Sequence, residues 1–369
     1  MKKIKYIPFE LVDNQLKDQY KGAFENFLNE KQYILGKNVS EFESRWASFC
    51  KSKYAVGVGN GYDALFLSLK ALDIQKGDEV IVPAHTFAAT ALAVLNTGAI
   101  PVLVDADPDT FNINTSLIGK KINQHTKAII VVHLYGNPCG MDEVMPICEK
   151  YGLFLIEDNA QAHGALYKGR VTGSFGVLSA TSFYPIKNLG ALGDAGAINT
   201  NSEELHDKLK LLRSYGSPDK HEMMLPGVNS RMDELQAAFL NIKLGFLEEW
   251  NKEREEINGY YRRELEGISE IKLCHQPDHV QSANHIFPIL SESKEELRTF
   301  LMKKGIQTLQ HYPIPYHLEK TFHPLKHQKG DFPVTEKICV EELSLPIFPG
   351  LIKKDIQYVC DHIKEFFNH

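Results

Sequence analysis

No two of the six cysteines are spaced as C-x-x-C, and none lies in a zinc-ligand pattern. Neither a metal ribbon nor a disulfide scaffold is indicated, and the thiols read as free and buried in a reducing compartment. Long apolar runs are missing too. Stretches such as Ala88–Leu95 fall far short of the roughly 18 residues that a membrane span needs. Positive charge is not in excess: 41 Lys and Arg stand against 47 Asp and Glu, a net −6. That balance leaves no footprint for nucleic acid or an anionic membrane. G-x-x-x-x-G-K and G-x-G-x-x-G are absent, so neither a P-loop nor a dinucleotide site is signalled. Met1–Pro8 has charge but no apolar core, unlike a signal peptide, and the protein is expected to be cytoplasmic.

What is present suits a large globular chain. With 369 residues, 43% hydrophobic and 24% charged, one large domain and a smaller one are expected. Between about residues 54 and 200, short apolar runs alternate with amphipathic segments. Val80–Val82, Pro101–Val104, Ala128–His133, Leu153–Ile156 and Val177–Phe183 read as strands. Phe87–Asn96 and Asp142–Tyr151 read as helices. This alternation predicts a mostly parallel α/β sheet with helices on both faces. Past Asn229, a long helix is expected over Arg231–Trp250 and a charged one over Asn251–Leu265. A strand (His285–Leu290) and two helices (Lys294–Lys304 and Lys354–Phe367) should follow. We therefore expect a large domain over residues 1–250 and a smaller α+β domain over 251–369, with the N-terminal segment able to pack on the latter.

Asp158 follows the apolar run Phe154-Leu155-Ile156, at the strand end where open α/β sheets place ligands. A helix cap is the plainer role for such an Asp, and for Asp105 we retain it. Lys187 lies among aromatic and apolar residues before a glycine-rich stretch, a setting that lowers an amine pKa as Schiff-base chemistry requires. Taken together, the two suggest pyridoxal phosphate (PLP), which needs an acid for its pyridine nitrogen, a lysine for its aldehyde and a backbone cradle for its phosphate. Gly57-Val58-Gly59-Asn60-Gly61, between a strand and a helix start, could supply the cradle.

Four ordered motifs carry a resemblance: Glu157-Asp158-Asn159-Ala160-Gln161-Ala162-His163-Gly164-Ala165, the Lys187 segment, Asn229-Ser230-Arg231-Met232-Asp233-Glu234, and His311-Tyr312-Pro313 followed by Pro315-Tyr316-His317. The chain resembles the DegT/DnrJ/EryC1/StrS aminotransferases, PLP enzymes of fold type I that act on nucleotide-linked keto-sugars. The likeness runs from about Tyr33 to Pro346. It implies that Lys187 holds the cofactor and moves protons and that Asp158 pairs with the ring nitrogen. Gln161 would touch the ring hydroxyl, and Phe87 would stack on the ring unless it is a core aromatic. Ser182 with the backbone of Tyr62 and Asp63 would hold the phosphate. Asn229 would reach the phosphate of the neighbouring subunit in a homodimer with shared sites, and it could also cap a helix starting near Arg231. Tyr33, His163, Arg231, His311 and Tyr312 are candidate substrate contacts, though for His163 packing beside the site is the expectation. No metal is implied. The implied reaction takes an amino group from L-glutamate, or L-glutamine, to a dTDP-3-oxo-6-deoxyhexose. Alternatives are a 4-keto sugar carried on dTDP or UDP, and a pyridoxamine-phosphate (PMP) 3-dehydratase, against which Lys187 argues.

Overall fold

A computed structural model describes residues 3–217 and 222–368. Its largest element is a seven-stranded sheet. The strands are β1 (Tyr54–Val58), β2 (Glu79–Pro83), β3 (Ile100–Val104), β4 (Thr126–Val132), β5 (Phe154–Asp158), β6 (Leu178–Ser182) and β7 (Gly196–Thr200), in the order β1-β7-β6-β5-β4-β2-β3. The pairs β2–β3, β2–β4, β4–β5 and β5–β6 are parallel. β7 runs antiparallel to both β1 and β6, so it alone is reversed.

The strands are near-continuous apolar runs because both faces of the sheet are covered. Side chains alternate between the two faces. Val80, Val82, Ile130 and Ile156 join one core with the helices Gly61–Ala71 and Ala89–Thr97. Ile81, Ile129, Val131 and Leu155 join another with Met141, Val144 and Cys148 of the helix Met141–Tyr151. All six cysteines are free and buried. Among the described residues, no helix is long and apolar enough to cross a membrane.

The C-terminal part has its own core. Ile257, Tyr261 and Leu265 of the helix Leu247–Leu265 pack with Phe287, Ile289, Leu343, Leu345, Val359 and Ile363. A three-stranded sheet of Lys272–Leu273, Phe287–Leu290 and Glu342–Leu345 crosses this core. Ile4 belongs to it as well, pairing with Ile306.

Two expected helices are redrawn. The continuous pattern from Arg231 to Trp250 is broken: one helix spans Glu234–Leu244 and the next begins at Leu247, with Gly245 and Phe246 between them. Apolar periodicity persists across the break because both helices bury one face, so periodicity alone could not reveal it. The Phe87–Asn96 helix starts at Ala89 instead, leaving Phe87 outside it.

The break leaves Glu234 in the first turn of its helix and fully buried. Its carboxylate accepts from the backbone N–H groups of Gly36 (2.5 Å), Asn38 (3.0 Å) and Val39 (3.0 Å), which open the helix Lys37–Phe49. No side chain of that helix's own N-cap, Gly36, can do this, so a residue almost two hundred positions away satisfies the orphan donors. Glu234→Gln places an amide N–H against these donors. We expect it to destabilise the chain by about 3 kcal/mol, read as a lowered urea midpoint at unchanged slope.

Candidate active site

The elements that matter meet at one edge of the sheet. β1, β5 and β6 end there, and β7 begins there, since Val58 and Ser182 both pair with Gly196. The reversal of β7 turns residues 183–195 into a loop that carries Lys187 over the edge beside Asp158. In open α/β sheets this is the ligand-binding edge.

Glu157 and Asp158 close β5 and point to opposite faces. Both are buried. Glu157 accepts from the backbone N–H groups of Gly173 (2.6 Å), Phe175 and Gly176 (both 2.7 Å) and lies 3.0 Å from His133 Nε2. Cys139 N–H donates to His133 Nδ1, so Nε2 carries the proton and donates to Glu157. Asp158 is less well supplied. Its Oδ2 accepts from Thr90 Oγ1 (2.9 Å) and its Oδ1 from the Ala160 N–H (3.2 Å). Burial raises its pKa; those two bonds and the charge of Lys187 oppose the rise. A buried carboxylate with spare lone pairs is suited to a cationic N–H donor.

Burial of the Lys187 amine lowers its pKa to about 8, against the pull of Asp158. The loop that carries it is fixed at its neighbours. Asn188 Nδ2 donates to Ala283 O (2.7 Å) and Asn251 Oδ1 (2.9 Å), and its Oδ1 lies 3.0 Å from His285 Nδ1. Leu189 N–H donates to His163 Nδ1 (3.1 Å).

Beyond Asp158, Gln161 accepts from the Tyr135 N–H (2.7 Å) and donates to the Tyr312 hydroxyl (3.0 Å). The Tyr312 ring stands 5.4 Å from that of Phe87. Phe87 is 57% exposed, too open for a core aromatic. At the other end of the edge, Asn60 caps the helix Gly61–Ala71 by accepting from the Asp63 N–H (2.8 Å). Asp63 in turn accepts from Ser230 Oγ (2.6 Å). A Cβ on Gly61 would sit 2.4 Å from Ser182 Cβ, so glycine is required for the helix start to close on the end of β6. Ser182 thus lies against a helix N-terminus, where the helix dipole favours an anion.

A family model described as the DegT/DnrJ/EryC1/StrS aminotransferase family matches residues 14–364. The chain belongs to this family. The dTDP-3-amino-3,6-dideoxy-alpha-D-galactopyranose transaminase of Aneurinibacillus thermoaerophilus is 44% identical to it, over 98% of this chain and 99% of that one. The crystal structure of DesV from S. venezuelae superposes with a TM-score of 0.98 at 39% identity, covering both chains completely. NtdA from Bacillus subtilis, whose structure contains bound PMP, superposes at 0.94 with 30% identity over all of this chain and 86% of that one.

The aminotransferase thus brings together most of the residues singled out in its sequence: Asp158 and Lys187 by charge, Gln161, Tyr312 and Phe87 by contact, and Gly61, Ser182, Tyr62 and Asp63 around the start of the helix Gly61–Ala71. His163 is a packing residue, with its ring 5.6 Å from those of both Trp46 and Phe183 and its pKa lowered by burial to about 3. Asn229 does not cap a helix: the helix after it starts at Glu234, and Asn229 is exposed and pairs its backbone with Ser214. Arg231 has no ion pair among the described residues and stands 5.9 Å from the Tyr215 ring centroid. Tyr33 is exposed and meets Phe27 edge-on. Asp105 is a cap, but of a remote helix. It accepts from the Val334 and Thr335 N–H groups at 3.1 and 2.8 Å, where Pro333–Glu341 begins.

Thr90, Tyr135 and Asn188 went unnoticed in the sequence. Thr90 lies three residues past Phe87 in the sequence, but only the fold sets its hydroxyl on Asp158.

The neutral amine is the nucleophile, so the lowered pKa of Lys187 makes a rate prediction. In cofactor-free enzyme, capture of added PLP by Lys187 should accelerate about tenfold per pH unit below 8 and level off above it. Spectrophotometric mixing at several pH values measures this; a rise continuing to pH 10 would contradict it.

Proposed function

We propose that this aminotransferase uses PLP to convert a dTDP-3-oxo-6-deoxyhexose to its 3-amino product, with L-glutamate as the amino donor. One observation carries the cofactor reading: Asp158, buried and short of donors, lies at the sheet edge with a lysine of lowered pKa. The residues fit the group. Asp158 would face its ring nitrogen, Gln161 its hydroxyl side and Phe87 its ring. Ser182 and the helix start at Tyr62 and Asp63 would hold the phosphate.

When bound, PLP supplies an aldehyde for the amine and a ring that withdraws electrons from the carbon losing its proton. The protein holds the parts in register. Lys187 Nζ, partly neutral near pH 8, takes the α-proton of the donor as general base and returns a proton as general acid. Asp158, when ionised, would stabilise a proton on the ring nitrogen. Arg231, without a carboxylate partner among the described residues, would bind the donor carboxylate. Tyr33, His311 and Tyr312 would line the sugar pocket.

The substrate rests on the A. thermoaerophilus relative, whose name specifies dTDP and C3, and on its near-complete overlap with this chain. A panel of dTDP- and UDP-linked 3-keto and 4-keto sugars, each offered with L-glutamate and with L-glutamine, tests it. The dTDP-3-keto sugar with L-glutamate should be aminated with the highest kcat/KM. A 4-keto or UDP sugar turned over faster would replace this assignment.

The working unit we propose is a two-fold homodimer with shared sites, Asn229 of one chain reaching the phosphate held by the other. The exposed position of Asn229 and its lack of a capping role support this. Mixing Lys187→Ala chains with Asn229→Asp chains should create one intact site per mixed dimer, with activity above either parent. Activity that stays at the level of the parents would show that each site is built from one chain.

A further inference from the structure

His311 is joined on two sides to the C-terminal strand Glu342–Leu345. Its backbone N–H donates to Glu342 Oε2 (2.6 Å), and its ring Nδ1 lies 2.8 Å from Ser344 Oγ. Ser344 Oγ donates to Glu342 Oε1. The backbones of Leu309 and Ser344 also exchange both hydrogen bonds, at 2.8 and 3.2 Å. Glu342 and Ser344 are buried, 1% and 0% exposed.

Burial pushes the Glu342 carboxyl up to about 7, and with Glu342 ionised these bonds have one consistent direction. A serine hydroxyl has a single proton, and here it is given to Glu342. Ser344 Oγ can then only accept from the ring, so His311 Nδ1 carries the ring proton. Burial holds the imidazole neutral at ordinary pH, with a pKa of about 4. A neutral ring with Nδ1–H has a lone pair at Nε2, and Nε2 has no protein partner among the described residues. The next residue, Tyr312, contacts both Gln161 and Phe87. The charge of Lys187 is near enough to lower the His311 pKa. The open nitrogen therefore belongs to the site.

We infer that Glu342 and Ser344 are positioning residues that hold His311 in the Nδ1–H form, so that Nε2 accepts a hydrogen bond from a hydroxyl of the sugar substrate. The inference rests on the reading that His311 lines the sugar pocket. It makes a sugar hydroxyl, and not a phosphate or carboxylate, the group recognised there: a neutral acceptor attracts an O–H donor and repels an anion. The L-glutamate half of the reaction makes no use of it.

The two half-reactions separate this role from general damage. In Ser344→Ala, conversion of the PLP form by L-glutamate should stay within about twofold of the parent. The KM of the PMP form for the dTDP-3-keto sugar should rise about tenfold, the effect of one neutral hydrogen bond. Equal losses in both halves, or an unchanged sugar KM, would overturn the inference. A second readout needs no substrate. In PMP enzyme labelled with ¹⁵N-histidine, and with the His311 signals identified by their loss in His311→Gln, the ring should show a protonated Nδ1 and a bare Nε2. In Ser344→Ala and Glu342→Gln the proton should move at least partly to Nε2. A parent ring protonated at Nε2 would refute the inference even if Glu342→Gln failed to fold. If the parent enzyme aminates no dTDP-3-keto sugar, the substrate assignment fails, while the ring measurement still decides the role of Glu342 and Ser344.

Discussion

A carboxylate removed from water needs donors or a cation, because an unmatched buried charge is strongly destabilising. At the end of β5 two neighbouring carboxylates meet this requirement differently. Glu157 is surrounded by three backbone N–H groups and a histidine, all from the protein. Asp158 has one hydroxyl and one N–H, and its pKa rises because burial exceeds what these return. Glu157 thereby ties residues 173–176 to the strand and makes the floor rigid. Asp158 is left with capacity for a ligand. The rest of the site is arranged around that difference: Lys187 lies close enough for each charge to shift the other, and the reversed strand β7 is what brings the lysine loop there.

Rigidity around Lys187 comes from side chains distant in sequence. Asn188 is held by Ala283, Asn251 and His285, and Leu189 by His163. Because Asn188 Nδ2 is used twice as a donor, its Oδ1 must accept from His285 Nδ1–H. The strongly lowered pKa of His285, caused first by burial, keeps that ring neutral. A lysine whose loop is anchored on both ring systems loses little freedom on binding, which is the form of preorganisation that the proposed acid–base role requires. The C-terminal part contributes from the opposite side. Tyr135 is bonded to His85 and to the His311 carbonyl, so the strap bearing Tyr312 is held between the two cores.

The sequence by itself determined much of this protein. The alternating apolar runs were enough for the parallel strands, since a sheet covered on both faces must be apolar at nearly every position. Asp158, Lys187, Gln161 and Ser182 were legible because each sits at a strand end or in a glycine-rich turn, within a motif whose chemistry limits the residue type. Three things were decided by the tertiary structure. The break at Gly245–Phe246 was hidden because both helices bury one face with a shared period. Which helix Asp105 caps, and whether Asn229 caps one at all, could not be read from neighbouring positions. In the fold, Asp105 caps a helix more than two hundred residues away, and the helix after Asn229 starts too late to be capped by it. The partners of the lysine loop and of His311 were invisible for the same reason: a hydrogen bond between distant residues leaves no periodicity and no spacing, and it exists only once packing has brought donor and acceptor within about 3 Å.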